Sequence, residues 1–285
     1  MKLASLVGSP PIVAAALGVL LVATLPDAAE AGGGKCPEGM VSIRGAYCID
    51  KYEAATVEIV ARGKVRDHSP FDPVEGLKVK AVSRRADSRG RPQLPQAYIS
   101  RDEAEVACKN AGKHLCTDEE WIGACEGKKP TRYPYGDDHK SGYCNDEATS
   151  SFNHYYGTEG GPPASEAYSW ANMNDPRLNQ LPGTLAPVAR FKRCRNGFDV
   201  YDMVGNLHEW TSDRSGTFRG GYYLDTKING EGCKYRTMAH GPKYHDYSTG
   251  FRCCKEPGSR VARSRSGLPA RGSVVIGAER APCGR

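Results

Sequence analysis

Two segments in the middle of the chain place apolar residues at the spacing of one helix face. After Ser100 and Glu103, alanine or cysteine stands at positions 104, 107, 108 and 111, which is the pattern of an amphipathic helix. Ser100 and Glu103 have the spacing of a capping box, and Gly112 suits a helix end. Thr117 and Glu120 repeat the box before apolar residues at 121, 124 and 125. The pattern predicts two short helices.

Outside these helices the apolar runs are short and separated by turn formers. Residues 40–43 and 47–50 are typical of extended segments, and residues 127–200 predict long loops without helices. The chain contains 33 glycines and 19 prolines, which argues against a helix bundle and favours an α+β fold with little regular secondary structure. Loops of this length are uncommon unless metal ions or disulfides hold them.

The first 31 residues predict a secretory signal peptide. Lys2 provides a positive start, Ile12 begins a 14-residue apolar stretch, and Ala29 and Ala31 frame a small-x-small cleavage site. The stretch is shorter than the about 20 residues of a membrane-spanning helix, so we expect no span after cleavage, with an uncleaved anchor as the alternative. The expected location is secreted, periplasmic or cell-envelope. Most of the 11 cysteines should then form disulfides.

Residues 256–285 predict a disordered tail. They hold six arginines, two glutamates and no aromatic residue, so they cannot bury enough apolar surface to offset ordering. An alternative is a tether to an anionic surface. The absence of aromatic residues argues against nucleic-acid binding. Cys283 is the candidate for the odd cysteine, as a free thiol or an intermolecular partner.

The overall composition and the absence of common motifs exclude several classes of protein. Hydrophobic residues make up 39% and charged residues 25% of the chain, with a net charge of +6. These values exclude a polytopic membrane protein and a wholly disordered chain. The GxGxxG, Walker A, HExxH and GxSxG motifs are absent from the sequence, which excludes the common nucleotide-binding, zincin and serine-hydrolase signatures.

Several short motifs occur along residues 36–255 in a fixed order. They are Met40-Val41, Tyr47 to Thr56, Ala111 to Trp121, Tyr133 to Gly136, Ala186 to Val188, Gly197 to Trp210, Arg219 to Gly221, and Gly250 to Cys253. This order resembles that of the formylglycine-generating enzyme (sulfatase-modifying factor) domain family. The resemblance implies a compact α+β, distantly C-type-lectin-like fold that calcium and disulfides stabilise.

The resemblance implies two calcium sites. Asp202, Gly205, Leu207 and Glu209 match one site, with carboxylates from Asp202 and Glu209 and backbone carbonyls from the other two, as calcium prefers. The alternative is that both carboxylates only cap local turns. The second implied set is Asn145, Asp146, Asn179 and Leu181. His208 stands where the family usually has an aromatic residue, and a lone histidine is typical of a structural role.

The family oxidises a cysteine of its target to formylglycine with two cysteines that hold copper(I). In this sequence Asp225 falls where the first of them belongs, and Cys233 lies near the second. Copper(I) prefers soft thiolates, and one thiolate beside a carboxylate is a poor site. We therefore expect no bound copper and assign no catalytic residue. Candidates for other chemistry nearby are Asp225, His240, His245 and Tyr223.

The resemblance also implies disulfides from Cys125 to Cys233 and from Cys108 to Cys253. Proximity in sequence predicts a third between Cys36 and Cys48, and the remaining pairings stay open.

These observations favour a calcium-stabilised module that binds an extended peptide or a glycan. The 15 tyrosines suit a ligand surface, although Tyr222, Tyr223, Tyr235, Tyr244 and Tyr247 could equally serve ordinary packing. The alternative is an oxidoreductase of the family type, or a variant oxidation in the same cleft.

Overall fold

The computed structural model describes residues 35–158 and 163–258. The predicted signal peptide, Cys283 and all but the first three residues of the predicted tail lie outside these ranges. Within them, no helix is both long and apolar enough to cross a membrane.

The two helices predicted from the apolar spacing are confirmed. Helix α1 covers Arg101–Asn110 and helix α2 covers Asp118–Cys125. Ser100 Oγ accepts a hydrogen bond from the Glu103 amide, and the Glu103 carboxylate accepts one from the Ser100 amide at 2.9 Å. Thr117 and Glu120 make the same reciprocal pair. Each capping box satisfies two amides that the helix itself leaves free.

The prediction of helix-free loops over residues 127–200 is wrong in part. Helices α3 (Ser151–Tyr156) and α4 (Trp170–Met173) and 3₁₀ turns at Ser165–Ala167 and Pro176–Asn179 lie in this region. Serine or aspartate side chains cap three of these four short elements by accepting a backbone amide. One or two turns carry too few apolar positions to show a helical period in the sequence.

In the ranges 35–158 and 163–258, eleven short strands form three sheets. They are β1 Met40–Ile43, β2 Tyr47–Asp50, β3 Ala55–Ile59, β4 Val65–Asp67, β5 Val79–Val82, β6 His114–Leu115, β7 His208–Trp210, β8 Phe218–Arg219, β9 Arg236–Thr237, β10 Thr249–Phe251 and β11 Cys253–Lys255. The sheet orders are β1-β2-β11-β6, β10-β7-β8-β9 and β4-β3-β5. Strands β1 and β2, both predicted, pair antiparallel, and β7 pairs with β10 in parallel. The result is an α+β fold with little regular structure, as expected.

Five disulfides join these elements. The expected pairs Cys36–Cys48, Cys108–Cys253 and Cys125–Cys233 are present, and the open pairings resolve as Cys116–Cys254 and Cys144–Cys194. Cys253 and Cys254 are neighbours on β11, and successive strand residues point to opposite faces of a sheet. One strand therefore ties α1 and the start of α2 from its two faces.

Candidate functional site

The loop at residues 220–235, here called the 220–235 loop, carries the positions that the resemblance assigns to copper. It begins at Gly220 and Gly221, just after β8. Gly221 has φ of +71°, and a Cβ there would lie 2.1 Å from the Asp225 carbonyl oxygen, so only glycine fits. The backbones of Tyr222 and Asp225 exchange hydrogen bonds of 2.9 and 3.0 Å. This tight turn places Asp225 directly before a solvent-exposed stretch at 227–231.

The Asp225 carboxylate is fully engaged in holding this loop. Its Oδ1 accepts hydrogen bonds from the amides of Lys227 (2.8 Å) and Ile228 (3.0 Å). Its Oδ2 accepts one from the Tyr235 hydroxyl at 2.9 Å. The carboxylate thus caps a turn at the position to which the resemblance assigns the first copper-holding cysteine.

Cys233 is buried and bonded to Cys125 of helix α2. It lies in a 3₁₀ turn at Gly232–Lys234, and its amide donates to the Arg132 carbonyl at 2.8 Å. All ten cysteines of the described residues are in disulfides. The described part of the chain therefore offers no thiolate.

A chain of hydrogen bonds runs inward from Asp225. Tyr235 Oη lies 3.2 Å from His208 Nε2, and His208 Nδ1 lies 3.2 Å from Ser248 Oγ, which donates to Asp246 at 2.7 Å. Burial and, to a smaller extent, the nearby His240 lower the pKa of His208 to about 3. Burial also raises the pKa of Tyr235. Both side chains are neutral near pH 7, so this network anchors the loop to β7 without a charged imidazole.

The other sequence candidates do not meet at Asp225. Tyr223 is buried, and its hydroxyl lies 2.9 Å from Ser151 Oγ. The ring of His240 stacks on Tyr244 at 3.7 Å, and His245 Nδ1 lies 2.7 Å from Asn174 Oδ1. Among the side chains of these candidates, that of Tyr235, which sequence reasoning considered for packing or ligand contact, bonds to the Asp225 carboxylate.

Two large aromatic rings project from the segment that carries α4. Tyr168 and Trp170 are each 54% exposed. Tyr168 stacks on Phe152 with ring centres 4.7 Å apart, and Trp170 packs edge-on against His245 at 4.7 Å. The amide of Tyr247 donates to the Met173 carbonyl at 3.1 Å, which fixes the segment on the body of the fold. Sequence reasoning missed both rings because neither lies in a periodic pattern.

The loop at residues 202–209, here called the 202–209 loop, holds the first implied calcium set and is buried throughout. Asp202, Gly205 and Asn206 have positive φ of 56°, 78° and 62°. A Cβ on Gly205 would lie 2.3 Å from the Asn145 carbonyl oxygen. The Glu53 carboxylate accepts hydrogen bonds from Asn206 Nδ2 at 2.6 Å and the Leu207 amide at 3.2 Å.

Glu53 was absent from the predicted site residues, although it lies in a motif that carries the resemblance. No local pattern connects it with a loop 150 residues later. Burial raises its pKa well above the ordinary value, and the carboxylates of Asp202 and Glu209 raise it further. Burial also raises the pKa of Asp202 to about 7.

One guanidinium serves this cluster of three buried carboxylates. Arg252 is fully buried and binds both oxygens of Glu209 at 2.6 Å, and Trp121 Nε1 donates to Glu209 at 2.7 Å. Asp202 Oδ2 accepts the Ala189 amide at 2.6 Å. With every carboxylate ionised, the cluster carries two uncompensated negative charges. Buried charge is costly unless it is paired, and with the pKa values of Glu53 and Asp202 raised, a retained proton would relieve this charge as a divalent cation would.

The second implied set has unsatisfied oxygens. Asn179 Oδ1 and Asp146 Oδ1 are buried without a hydrogen-bond partner. Asp146 Oδ2 lies 2.8 Å from His139 Nε2, while the Leu181 carbonyl already accepts from the Thr184 hydroxyl at 2.6 Å. No group of three His, Cys, Asp or Glu side chains in 35–158 and 163–258 is arranged for a metal. Amide and backbone oxygens are nevertheless ordinary calcium ligands.

The fold and the two loops define an α+β domain of the formylglycine-generating-enzyme type. Residues 18–263 match the family described as the sulfatase-modifying factor enzyme 1-like domain. The chain belongs to this family.

Relatives of this chain differ in their stated activity. The formylglycine-generating enzyme of Mycobacterium tuberculosis is 29% identical over 204 residues, which cover 60% of each chain. The inactive C-alpha-formylglycine-generating enzyme 2 of Bos taurus is 26% identical over 182 residues, covering 60% of this chain and 53% of that one. The chain thus spans less than two thirds of each of these two relatives. A crystal structure of CarF has a TM-score of 0.41 and 16% identity, over 74% of this chain and 86% of that chain.

Proposed function

We propose that this chain is an exported binding module that holds an extended peptide or a glycan and lacks copper oxidase activity. The observation that carries the proposal is the replacement of a thiolate pair by a turn-capping Asp225 and a disulfide-bonded Cys233. Copper(I) is selected by soft sulfur ligands, and a hard carboxylate with three hydrogen bonds is a poor substitute.

The proposed contact surface is the exposed pair Tyr168 and Trp170. Exposed aromatic rings that are fixed by packing provide contact area at a low cost in conformational entropy. A tyrosine or tryptophan ring also pairs an apolar face with a polar atom, which suits both sugar rings and peptide backbones. The stacking of Tyr168 on Phe152 supports a preformed surface.

Glycan and peptide arrays would test this proposal with the full chain. We expect one probe class to bind, and the double variant Tyr168→Ala/Trp170→Ala to weaken that binding about tenfold or more, which corresponds to about 1.4 kcal/mol. The control is Val106→Ala, because Val106 is also about half exposed, at 52%, but lies on α1. Equal binding by the aromatic variant and the control would overturn the proposed surface.

The alternative function is a family-type or variant oxidation of a target cysteine. The likeness to the enzyme of Mycobacterium tuberculosis favours it. Mass spectrometry of a cysteine-containing peptide after incubation with the full chain, copper(I) and dioxygen would test it. Our proposal expects an unmodified peptide with wild type and with Cys233→Ser alike. Conversion that Cys233→Ser abolishes would establish the oxidase function instead.

We also propose that calcium stabilises the fold at the buried carboxylates. A ligand present at 100 times its dissociation constant stabilises a protein by about 2.7 kcal/mol. Calorimetry should therefore show a higher melting temperature in calcium chloride than in chelator. Asp202→Asn should lose most of this shift, whereas Asp225→Asn, outside both implied sets, should retain it. Identical melting of the wild type with and without calcium would refute the proposal.

Export is the remaining part of the proposal. Five disulfides are typical of proteins from oxidising compartments, and the sequence predicts a signal at 1–31. Deleting residues 1–31 should leave the chain inside the producing cell. Deleting 256–285 should reduce retention on anionic surfaces in low salt, because tethering by exposed charges is screened by salt. Export that persists without residues 1–31 would contradict the signal peptide. Retention that is unchanged without residues 256–285 would contradict the tether.

A further inference from the structure

A cluster of basic side chains lies along the segment 190–195. The cavities at this segment are not lined by the aromatic pair Tyr168 and Trp170. Two cavities of about 570 Å³ and 410 Å³ adjoin there and share Lys192 in their lining. Both volumes lie in the range of about 300–1,000 Å³ that is typical of small-ligand sites. We call the two cavities together the basic groove. Its exposed cationic residues without a carboxylate partner among the described residues are Arg85, Lys128, Lys129, Arg190, Lys192 and Arg193.

The charge of this groove is almost uncompensated. Arg195 is the lining cation that pairs with a carboxylate, that of Asp199, at 3.0 Å. Glu126 is the one acidic residue in the lining of the two cavities, and its carboxylate binds Lys234, which lies outside them. The concentration of cations is local, because the whole chain carries a net charge of only +6. Such a groove attracts anions.

The groove is held in shape by covalent and backbone contacts. The disulfide Cys144–Cys194 fixes the cationic segment from its buried side, and the amide of Cys194 donates to the Phe191 carbonyl at 2.9 Å. The guanidinium of Arg193 lies 5.0 Å above the ring of Tyr143, which in turn packs against Tyr135 at 4.9 Å. A preorganised cationic wall loses less entropy on binding than free side chains would.

We propose that the basic groove binds an anionic polysaccharide, through its sulfate or carboxylate groups. Guanidinium groups make paired, charge-assisted hydrogen bonds with such groups. Tyr135 and Tyr143 also line the groove, and their packing holds the guanidinium of Arg193 in place. Two adjoining cavities suit successive residues of a flexible chain, whereas a flat bilayer would contact only their rims. The disulfides favour an oxidising compartment, where charged polysaccharides are available and nucleic acids are scarce.

This site is independent of the aromatic pair Tyr168 and Trp170. The test uses the full chain and a heparin hexasaccharide as the probe, with affinity measured by calorimetry at several sodium chloride concentrations. Lys192→Gln/Arg193→Gln removes two exposed charges from the groove. The control Arg62→Gln/Lys64→Gln removes two exposed charges from the turn between β3 and β4.

We expect the wild type to bind the hexasaccharide with an affinity that falls as salt rises, because exposed charges are screened. The groove variant should bind about tenfold more weakly or worse, and the control should stay within about twofold. Tyr168→Ala/Trp170→Ala should not change this affinity. Equal affinities of the groove variant and the control would overturn the proposal. Tighter binding of single-stranded DNA or of anionic vesicles than of the hexasaccharide would overturn the assignment of the partner.

Discussion

The 202–209 loop and the 220–235 loop are neighbours in the β10-β7-β8-β9 sheet region but differ in how they are held. Every residue of the first is buried. Its partners Glu53 and Arg252 lie near the two ends of the domain's sequence. The second is exposed over 227–231, and it is held by the Asp225 carboxylate, one disulfide and the contact of Tyr235 with His208.

This difference shows which part of the family pattern the fold itself requires. The buried loop positions β7 and holds Glu209 against Arg252 in the interior, so the loss of one partner of this pair alone is costly. The 220–235 loop carries the two positions that the resemblance assigns to copper, of which Cys233 is buried and Asp225 is only partly buried. At Asp225 a carboxylate stands where the resemblance places a thiolate, and the fold is intact, so fold alone does not imply function.

Removing the cation from the carboxylate cluster of the 202–209 loop should destabilise the fold most. Arg252→Met leaves Glu209 without its partner, and breaking such a buried pair costs about 3–5 kcal/mol. Chemical denaturation measures the change in the free energy of unfolding. The control is Arg66→Met, which breaks an exposed pair with Glu58 and should cost less than about 1 kcal/mol. Similar losses in both variants would contradict the account.

A second prediction concerns His208, which links the two loops. Its folded pKa of about 3 lies below the ordinary value of 6.5, so below pH 6.5 the unfolded chain takes up a proton that the folded chain does not. Stability is therefore lost as the pH falls. Between pH 7 and pH 5, at constant calcium, wild type should lose about 2 kcal/mol relative to His208→Phe.

The control for this prediction is His114→Gln, because the contribution of His114 to stability changes with pH in the opposite direction. A hydrogen bond with Glu120 raises the pKa of His114. Its stabilising contribution is full below the unfolded pKa and is lost as the pH rises through the folded pKa. If His208→Phe and wild type show parallel pH profiles, the buried neutral imidazole is not a feature of the folded protein.

The smallest expected effect is at Asp225. Asp225→Ala removes the acceptor for the amides of Lys227 and Ile228 and the Tyr235 hydroxyl. Water can replace it at the two exposed amides, so we expect a loss of about 1 kcal/mol, measured by denaturation. Hydrogen exchange should rise within 222–235 and stay unchanged in the 202–209 loop. Increased exchange in both loops would show that they are not independently held.

Sequence reasoning succeeded where the signal is local or carried by the family motifs. The capping boxes of α1 and α2 and the pairing of Cys125 with Cys233 were predictable in this way. It failed where distant residues meet, because neither Glu53 nor the approach of Lys128 to the 190–195 segment leaves a periodic trace. Helices α3 and α4 were not predicted because one or two turns of helix are too short to show an apolar stripe.

Non-reducing peptide mapping of the full chain reports the bonding state of Cys233. We expect a cross-linked peptide that contains Cys125 and Cys233, and no alkylated Cys233. A free, alkylatable Cys233 in the native protein would contradict the disulfide-bonded 220–235 loop and restore a thiolate there.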